Sequence, residues 1–331
     1  MKILLLTTEV CNTYLKGYTS HFIAQGIINN GIKLYSNSSL GILESDNVID
    51  ESEIVNVGKS VDLIIIFILT LGMHNSNTHN NNTILIKMVE INRPEITVYI
   101  DYFEYSWNNY NVETCNWLNI YIEPTKDYYR SNPFIYTFLK NYCKKYFKRE
   151  CYRDLLNIGC IPIQLYSPDK HFKIDDINIE KDIDVLCSFP QKGTGLRKNV
   201  IEICKQLKNE GYNVLIADNI HPIDEYYKTI KRSYIVIDAK GAGYQNLRFL
   251  EIIKNKSLCF REKYEILFPN DFTDDMIVQY SSTEELYVKI KEYLLDKYRI
   301  MTMIENSYNH YLNFHTPEKI AMYIINKSLE N

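Results

Sequence analysis

The stretch "DIDVLCSFPQKGTGLRKNVIEICKQLKNEGYNVLIAD" (182–218) decides how the chain is read. Residues 182–189 are a short apolar run of the length of a buried strand, and "QKGTG" (191–195) interrupts it. From 196 to 211 apolar residues recur at helical spacing, and Gly211 stops the helix. Residues 212–218 read as a second strand. Such strands alternating with helices predict a parallel sheet with helices on both faces.

The alternation continues outward. Downstream come a short helix "IDEYYKTIKR" (223–232), a strand "SYIVIDA" (233–239), a helix "LRFLEIIKNK" (247–256) and a strand "SLCFRE" (257–262). After "DMIVQYSS" (275–282) helices are expected at about 283–295 and 297–313, with a last one from Pro317. Upstream, "KILLLTT" (2–8) reads as a strand, "TSHFIAQGIINNG" (19–31) as a helix stopped at Gly31, and 63–71 as a strand. "HNSNTHNNNT" (74–83) reads as a loop, "TILIKMVEI" (83–91) as a helix, and "EITVYIDYFE" (95–104) as a strand ending near Asp101. "LNIYIEP" (118–124) is a further expected strand. The expected organisation is a first domain over 1–168, a linker over 169–181 and a second domain over 182–313. The C-terminal helix, 314–331, is expected to pack back on the first domain. Both domains are of one general α/β type, each offering strand-end loops to a central cleft.

At 331 residues, with 46% hydrophobic and 24% charged residues, the chain has the composition of a soluble globular protein of two domains. Its net charge of -4 and the lack of a long basic run weigh against nonspecific nucleic-acid binding. The clusters "KNYCKKYFKRE" (140–150) and "KTIKR" (228–232) are local. The eight cysteines form no CxxC pair, which suits a reducing, cytoplasmic setting. "MKILLLTTEV" is too short an apolar run for a signal peptide, and "VDLIIIFILTLG" (61–72) is about half a membrane span.

Two places carry the expected chemistry. In "FPQKGTGLRK" (189–198), Gly193, Thr194, Gly195, Arg197 and Lys198 stand between a strand and the helix it opens. Free backbone N–H groups and cations there suit an anion, although a plain strand-to-helix turn also needs glycine. The loop fits neither GxGxxG nor a Walker A pattern. In "GYQNLRFLEIIKNKSLCFRE" (243–262), Arg248 and Glu251 share a helix face. An arginine at a helix N-terminus opposes the dipole, which an anion bound there would explain. The alternative is a surface ion pair.

Other positions are weaker. Gly17 lies at a loop-to-helix junction with Lys16, Tyr18 and His21, where His21 is either a base or a solvent-facing residue. Among acids, Asp101, Glu104 and Asp127 are the better-placed candidates for a base, and desolvation at a buried strand end raises a carboxylate pKa. "DID" (182–184) opens a strand, whereas metal-binding carboxylates belong after one. His74 and His79 lack metal-ligand partners, and His315 precedes Thr316, an expected N-cap, with Pro317 at the first helical position. Most of the tyrosines clustered with Trp107 over 99–110 are expected in the core or at its rim.

The span from about 182 to 321 resembles the C-terminal half of GT-B glycosyltransferases, especially the CgeB-like group. The likeness rests on ordered blocks: "EYYKTIKRSYIVID" (225–238), "GYQNLRFLEIIKNKSLCFRE" (243–262), an acidic strand region, "TEELYVKIKEYLLD" (283–296) and "NSYNHYLNFHTPEKIA" (306–321). Upstream, "FKRE" (147–150) and "IPIQLYSPDKHF" (161–172) resemble that group's approach to the linker. A more distant resemblance is to phage DNA glucosyltransferases, whose LR-x-x-E helix is matched by Leu247, Arg248 and Glu251. The basic pair in that family's loop is matched by Arg197, with Lys198 beside it.

The resemblance implies a GT-B fold of two Rossmann-like domains. It implies that Arg197 and Arg248 contact a diphosphate, with Lys198 next to them, that Glu251 holds a ribose and that Asp101 is the base. Gly17, Gly193, Thr194, Gly195, Tyr244 and Asn246 complete the expected nucleotide site. The Glu-x7-Glu of many retaining relatives is absent, since Gly243 stands eight positions before Glu251. The expected activity is transfer of a sugar from a nucleotide-diphosphate donor, a UDP-sugar first, to a hydroxyl on a glycan, protein or polysaccharide, with no metal required. A nucleotide-sugar epimerase, a noncatalytic nucleotide-sugar-binding protein and a DNA-base glucosyltransferase are the alternatives.

Overall fold

A computed structural model describes residues 1–7, 20–38, 40, 42–68, 78–101, 141–164, 179–189, 196–218, 220, 222–240 and 245–330. The chain divides into two compact units. One comprises Met1–Gln164, Ile266–Pro269 and Pro317–Asn331, and the other comprises Leu165–Glu265 and Asn270–Thr316.

In the first unit, strand β1 (Lys2–Thr7) is buried from its second residue onward, as its apolar "ILLL" run requires. Helix α1 (Ser20–Asn29) follows, and Gly31, at φ +70°, turns the chain into β2 (Lys33–Ser36). Then come α2 (Ile54–Ser60), β3 (Leu63–Ile68), α3 (Thr78–Ile91), β4 (Thr97–Asp101), β5 (Lys145–Lys148), β6 (Cys151–Tyr152) and β7 (Cys160–Pro162). Six strands pair in the order β2-β1-β3-β4-β5-β7, all parallel. Continuous apolar runs such as "LIIIFI" are what a parallel sheet covered on both faces requires.

One expectation needs correction here. The Asn-rich loop over 74–83 ends early, since α3 already begins at Thr78. Ile84, Met88 and Ile91, spaced four and three apart, are buried on one helix face, and their packing carries the weak helix formers before them. The middle of the basic cluster 140–150 is β5, with Tyr146, Phe147 and Arg149 buried, while Lys144 is exposed. The expected strand 118–124 lies outside the described residues.

In the second unit, β8 (Ile183–Ser188) is followed by α4 (Leu196–Asn209), β9 (Val214–Ala217), α5 (Ile223–Arg232), β10 (Ser233–Asp238), α6 (Leu247–Lys254) and β11 (Leu258–Glu262). The short strand β12 (Ile266–Leu267) belongs to the first unit and pairs antiparallel with β6. The second unit resumes with β13 (Val278–Tyr280), α7 (Thr283–Leu294) and α8 (Lys297–Phe314), while α9 (Pro317–Leu329) belongs to the first unit beside α1. Five parallel strands pair in the order β13-β11-β10-β8-β9. From β8 the chain steps to one side for β9, then returns to the other side for β10. The order therefore reverses between β8 and β10, and ligands in open α/β sheets bind outside the carboxyl ends of strands at such a reversal.

Candidate functional site

The carboxyl ends of β8 and β10 carry an unusual set of side chains. Phe189 directly follows β8 and is buried. Arg197, in the first turn of α4, sets its guanidinium carbon 5.4 Å from the Phe189 ring centroid. Arg248, in the first turn of α6, does the same at 5.4 Å. Arg197 is fixed by donating from Nε to the Lys240 carbonyl at 3.0 Å. Burial first, and then the like charge of Arg248, disfavour its charged form. Two guanidiniums have thus been brought against one aromatic ring. Among the described residues the buried Nε of Arg248 has no hydrogen-bond partner and is an orphaned donor.

Below them lies Asp238, the last residue of β10, 1% exposed. Burial raises its pKa, against the pull of Arg261, Arg248, Asn246 and Arg197. Arg261, on β11, places Nε 3.5 Å from Asp238 Oδ2 and stacks its guanidinium 3.9 Å from the Phe249 centroid. Asn246 caps α6: its Oδ1 accepts from the Phe249 N–H at 3.1 Å, and its Nδ2 donates to Asp238 Oδ1 at 2.7 Å. That residue locks the start of α6 to the end of β10, and so aims Arg248.

Glu251 lies one turn deeper. Its Oε2 accepts from the Tyr226 hydroxyl at 3.2 Å and its Oε1 from Tyr227 at 3.3 Å, both from α5. Burial pushes its carboxyl up, opposed by Arg248 and the two hydroxyls. Burial also opposes the charge of Arg248, but Tyr226, Asp238 and Glu251 more than offset it, so its pKa stands above the ordinary arginine value.

Among the expected site residues, Arg197, Arg248, Glu251 and Asn246 come together in this unit. Lys198, one residue past Arg197 on α4, is exposed. Asp101 is the last residue of β4 in the other unit, in register with Lys148 of β5. Gly17, Gly193, Thr194, Gly195 and Tyr244 lie outside the described residues, as do Glu104 and Asp127. Sequence reading passed over Phe189, Tyr226, Tyr227, Asp238 and Arg261. Two signals were available: Asp238 closes "SYIVID" as Asp101 closes "TVYID", and Arg261 is a charge inside the otherwise apolar "LCFR".

His21 and His315 behave structurally. His21 does not face solvent: it is buried, with Nδ1 2.7 Å from the Leu40 carbonyl. His315 terminates α8, fully buried, with Nε2 3.1 Å from the Asn270 carbonyl and its ring stacked on Phe272. Asp182 pairs with Arg232, and Asp184 accepts from the Asn213 N–H at 2.9 Å, so "DID" is committed to structure. Among the described residues no three His, Cys, Asp or Glu side chains gather as a metal site, and no helix is long and apolar enough to cross a membrane.

This is the GT-B glycosyltransferase fold, with its parallel sheets in two α/β units and its polar cluster at a strand-order reversal. A glycosyltransferase from Rickettsia africae superposes with a TM-score of 0.58 at 11% identity, covering 99% of this chain and 97% of that one. HepE of Anabaena, in complex with UDP and glucose, gives 0.55 at 11% identity and covers 99% of both chains. An alpha-glucosyltransferase in complex with UDP gives 0.58 at 10% identity over 100% of both. No protein-family model and no curated protein matches the chain, so the CgeB-like resemblance rests on the sequence blocks alone.

Proposed function

We propose that the protein transfers a sugar from a nucleotide-diphosphate donor, a UDP-sugar, to an acceptor hydroxyl. The observation that carries this reading is the pair of guanidiniums against Phe189, one with an orphaned Nε–H, at the strand-order reversal of the second unit. Like charges held together in a half-buried place cost free energy unless an anion joins them. The diphosphate is that anion, and its fit is supported by the UDP carried by two solved structures of the same fold.

In this reading Arg197 and Arg248 hold the diphosphate, and Glu251 accepts from the ribose hydroxyls. The further nucleotide-binding residues of this reading are Lys198, Tyr244, Gly193, Thr194, Gly195 and Gly17. Asn246 acts by positioning Arg248. Asp101 takes the proton of the acceptor hydroxyl. The freed oxygen attacks the anomeric carbon as its bond to the diphosphate breaks, and the negative charge left on UDP is met by the two arginines. That charge stabilisation supplies what a metal provides elsewhere, so transfer proceeds without one. The acceptor is a hydroxyl on a glycan, protein or polysaccharide.

Thermal shift against UDP-, GDP-, dTDP- and CMP-sugars tests the donor, because a ligand that binds only the native state raises Tm. A UDP-sugar raises Tm, and sugar transfer persists in a chelator. If none of the nucleotide sugars shifts Tm, the reading falls. A donor converted to another sugar nucleotide with no acceptor present assigns epimerisation instead.

A further inference from the structure

Arg248 and Glu251 are three residues apart on one face of α6, a spacing at which opposite charges ordinarily close into an ion pair. Elsewhere in this chain they do. Lys87–Glu90 stand at 3.0 Å, and Lys205–Glu202, Lys228–Glu225 and Lys327–Glu330 each at 2.8 Å, all at the same spacing and on more exposed surface. Arg248 and Glu251 lie where screening is weaker, so their attraction is stronger. Yet among the described residues they form no direct ion pair. The Tyr226 hydroxyl donates to Glu251 Oε2 at 3.2 Å and, lying near Arg248 as well, favours that arginine's charged form.

We propose that Tyr226 is a positioning residue that keeps Arg248 and Glu251 from closing on each other, so that both stay available to a nucleoside diphosphate. The inference rests on the donor-site reading and adds a device to it. A direct pair would occupy the guanidinium N–H groups that face a phosphate and the carboxylate lone pairs that face a ribose. The Tyr226 phenol takes one acceptor site on Glu251 and Tyr227 another, which leaves the remaining lone pairs of the carboxylate and the Arg248 Nε–H to a ligand. The Tyr226 ring packs against its neighbour. It lies 5.4 Å from the ring of Tyr227, which is buried and binds the other oxygen of the same carboxylate.

The two arrangements differ in a way that packing alone does not mimic. In Tyr226→Phe the pair closes, and the protein loses affinity for UDP and also for inorganic pyrophosphate, which has no ribose. Each loss is about tenfold, the worth of one hydrogen bond to a charged group. Adding Glu251→Gln to that variant removes the carboxylate that captured Arg248. Pyrophosphate affinity then returns toward that of the unaltered protein, while UDP affinity does not.

Calorimetric titration of the full chain with UDP and with pyrophosphate, alongside the melting temperature of each variant, tests the inference. Recovery of pyrophosphate binding in the double variant supports it. Unchanged pyrophosphate affinity in Tyr226→Phe overturns it, and so does a loss that Glu251→Gln fails to reverse. UDP binding that survives Arg248→Ala overturns the donor-site reading and this inference together. UDP binding abolished by Arg248→Ala but untouched by Tyr226→Phe overturns this inference alone.

Discussion

Arg197 and Arg248 hold their guanidinium carbons at one distance, 5.4 Å, from the ring centroid of Phe189. They come from the first turns of different helices, and the charge of Arg248 weakens the hold of Arg197 on its proton. The buried carboxylate of Asp238 beneath them offsets part of that repulsion, and a bound diphosphate would remove the rest.

Replacing either arginine therefore has a definite expected outcome. Arg248→Ala lowers kcat/KM for a UDP-sugar by about tenfold to a thousandfold, the range for one lost charge-stabilising donor. Arg197→Ala acts in the same direction. The double variant loses less than the sum of the two, because both serve one ligand. Steady-state donor hydrolysis measures all three, and unchanged rates in both single variants would sink the assignment.

Asp101 ends the fourth strand of the other unit. If it is the base, Asp101→Asn lowers kcat by about a hundredfold to ten-thousandfold, with the affinity for UDP within a factor of ~2 of the unaltered protein. Single-turnover transfer beside UDP titration separates the two effects. Intact chemistry in that variant sends the search to another acid.

His315 gives a pH prediction with a worked sign. Burial and the nearby His310 lower its pKa from 6.5 to about 3. Between those values the unfolded chain takes up a proton that the folded chain refuses, so stability falls as pH falls. Through this one group the protein is about 2 kcal/mol less stable at pH 5 than at pH 7. In His315→Phe an aromatic ring remains to stack on Phe272, and the His310 Nε2 still stands 2.7 Å from the Asn270 carbonyl. Urea unfolding at the two pH values should lose about that difference in the variant.

Gly26 supplies a packing test in the first unit. A Cβ there would lie 2.1 Å from the Pro317 carbonyl oxygen and 2.9 Å from Ala321 Cβ, where α1 meets the start of α9. Backbone cannot yield as a side-chain tip can, so Gly26→Ala destabilises by about 1–3 kcal/mol despite alanine's better helix propensity. A melting temperature equal to that of the unaltered protein would refute this packing.

The order of apolar runs and breakers in the sequence determined the class of the fold. Strands β8, β10 and β11 are short buried runs and β9 a short apolar edge run, with helices between them, and that pattern dictates parallel pairing under helical cover. It also pointed to Arg197 in the loop that opens a helix, and helical spacing put Arg248 and Glu251 on one face as candidates. The strand β5 was hidden inside a basic cluster, since lysines stand at both of its ends and only partners on both sides make "KYFK" an interior strand. Phe189, Tyr226, Asp238 and Arg261 became part of one site only in three dimensions. They come from four separate places along the second unit, and no local pattern records that a strand reversal brings the ends of β8 and β10 together. Tertiary structure alone decided that the glutamate accepts from two tyrosines of another helix and, among the described residues, forms no direct ion pair with the arginine on its own helix face. Sequence spacing by itself argued for their pairing.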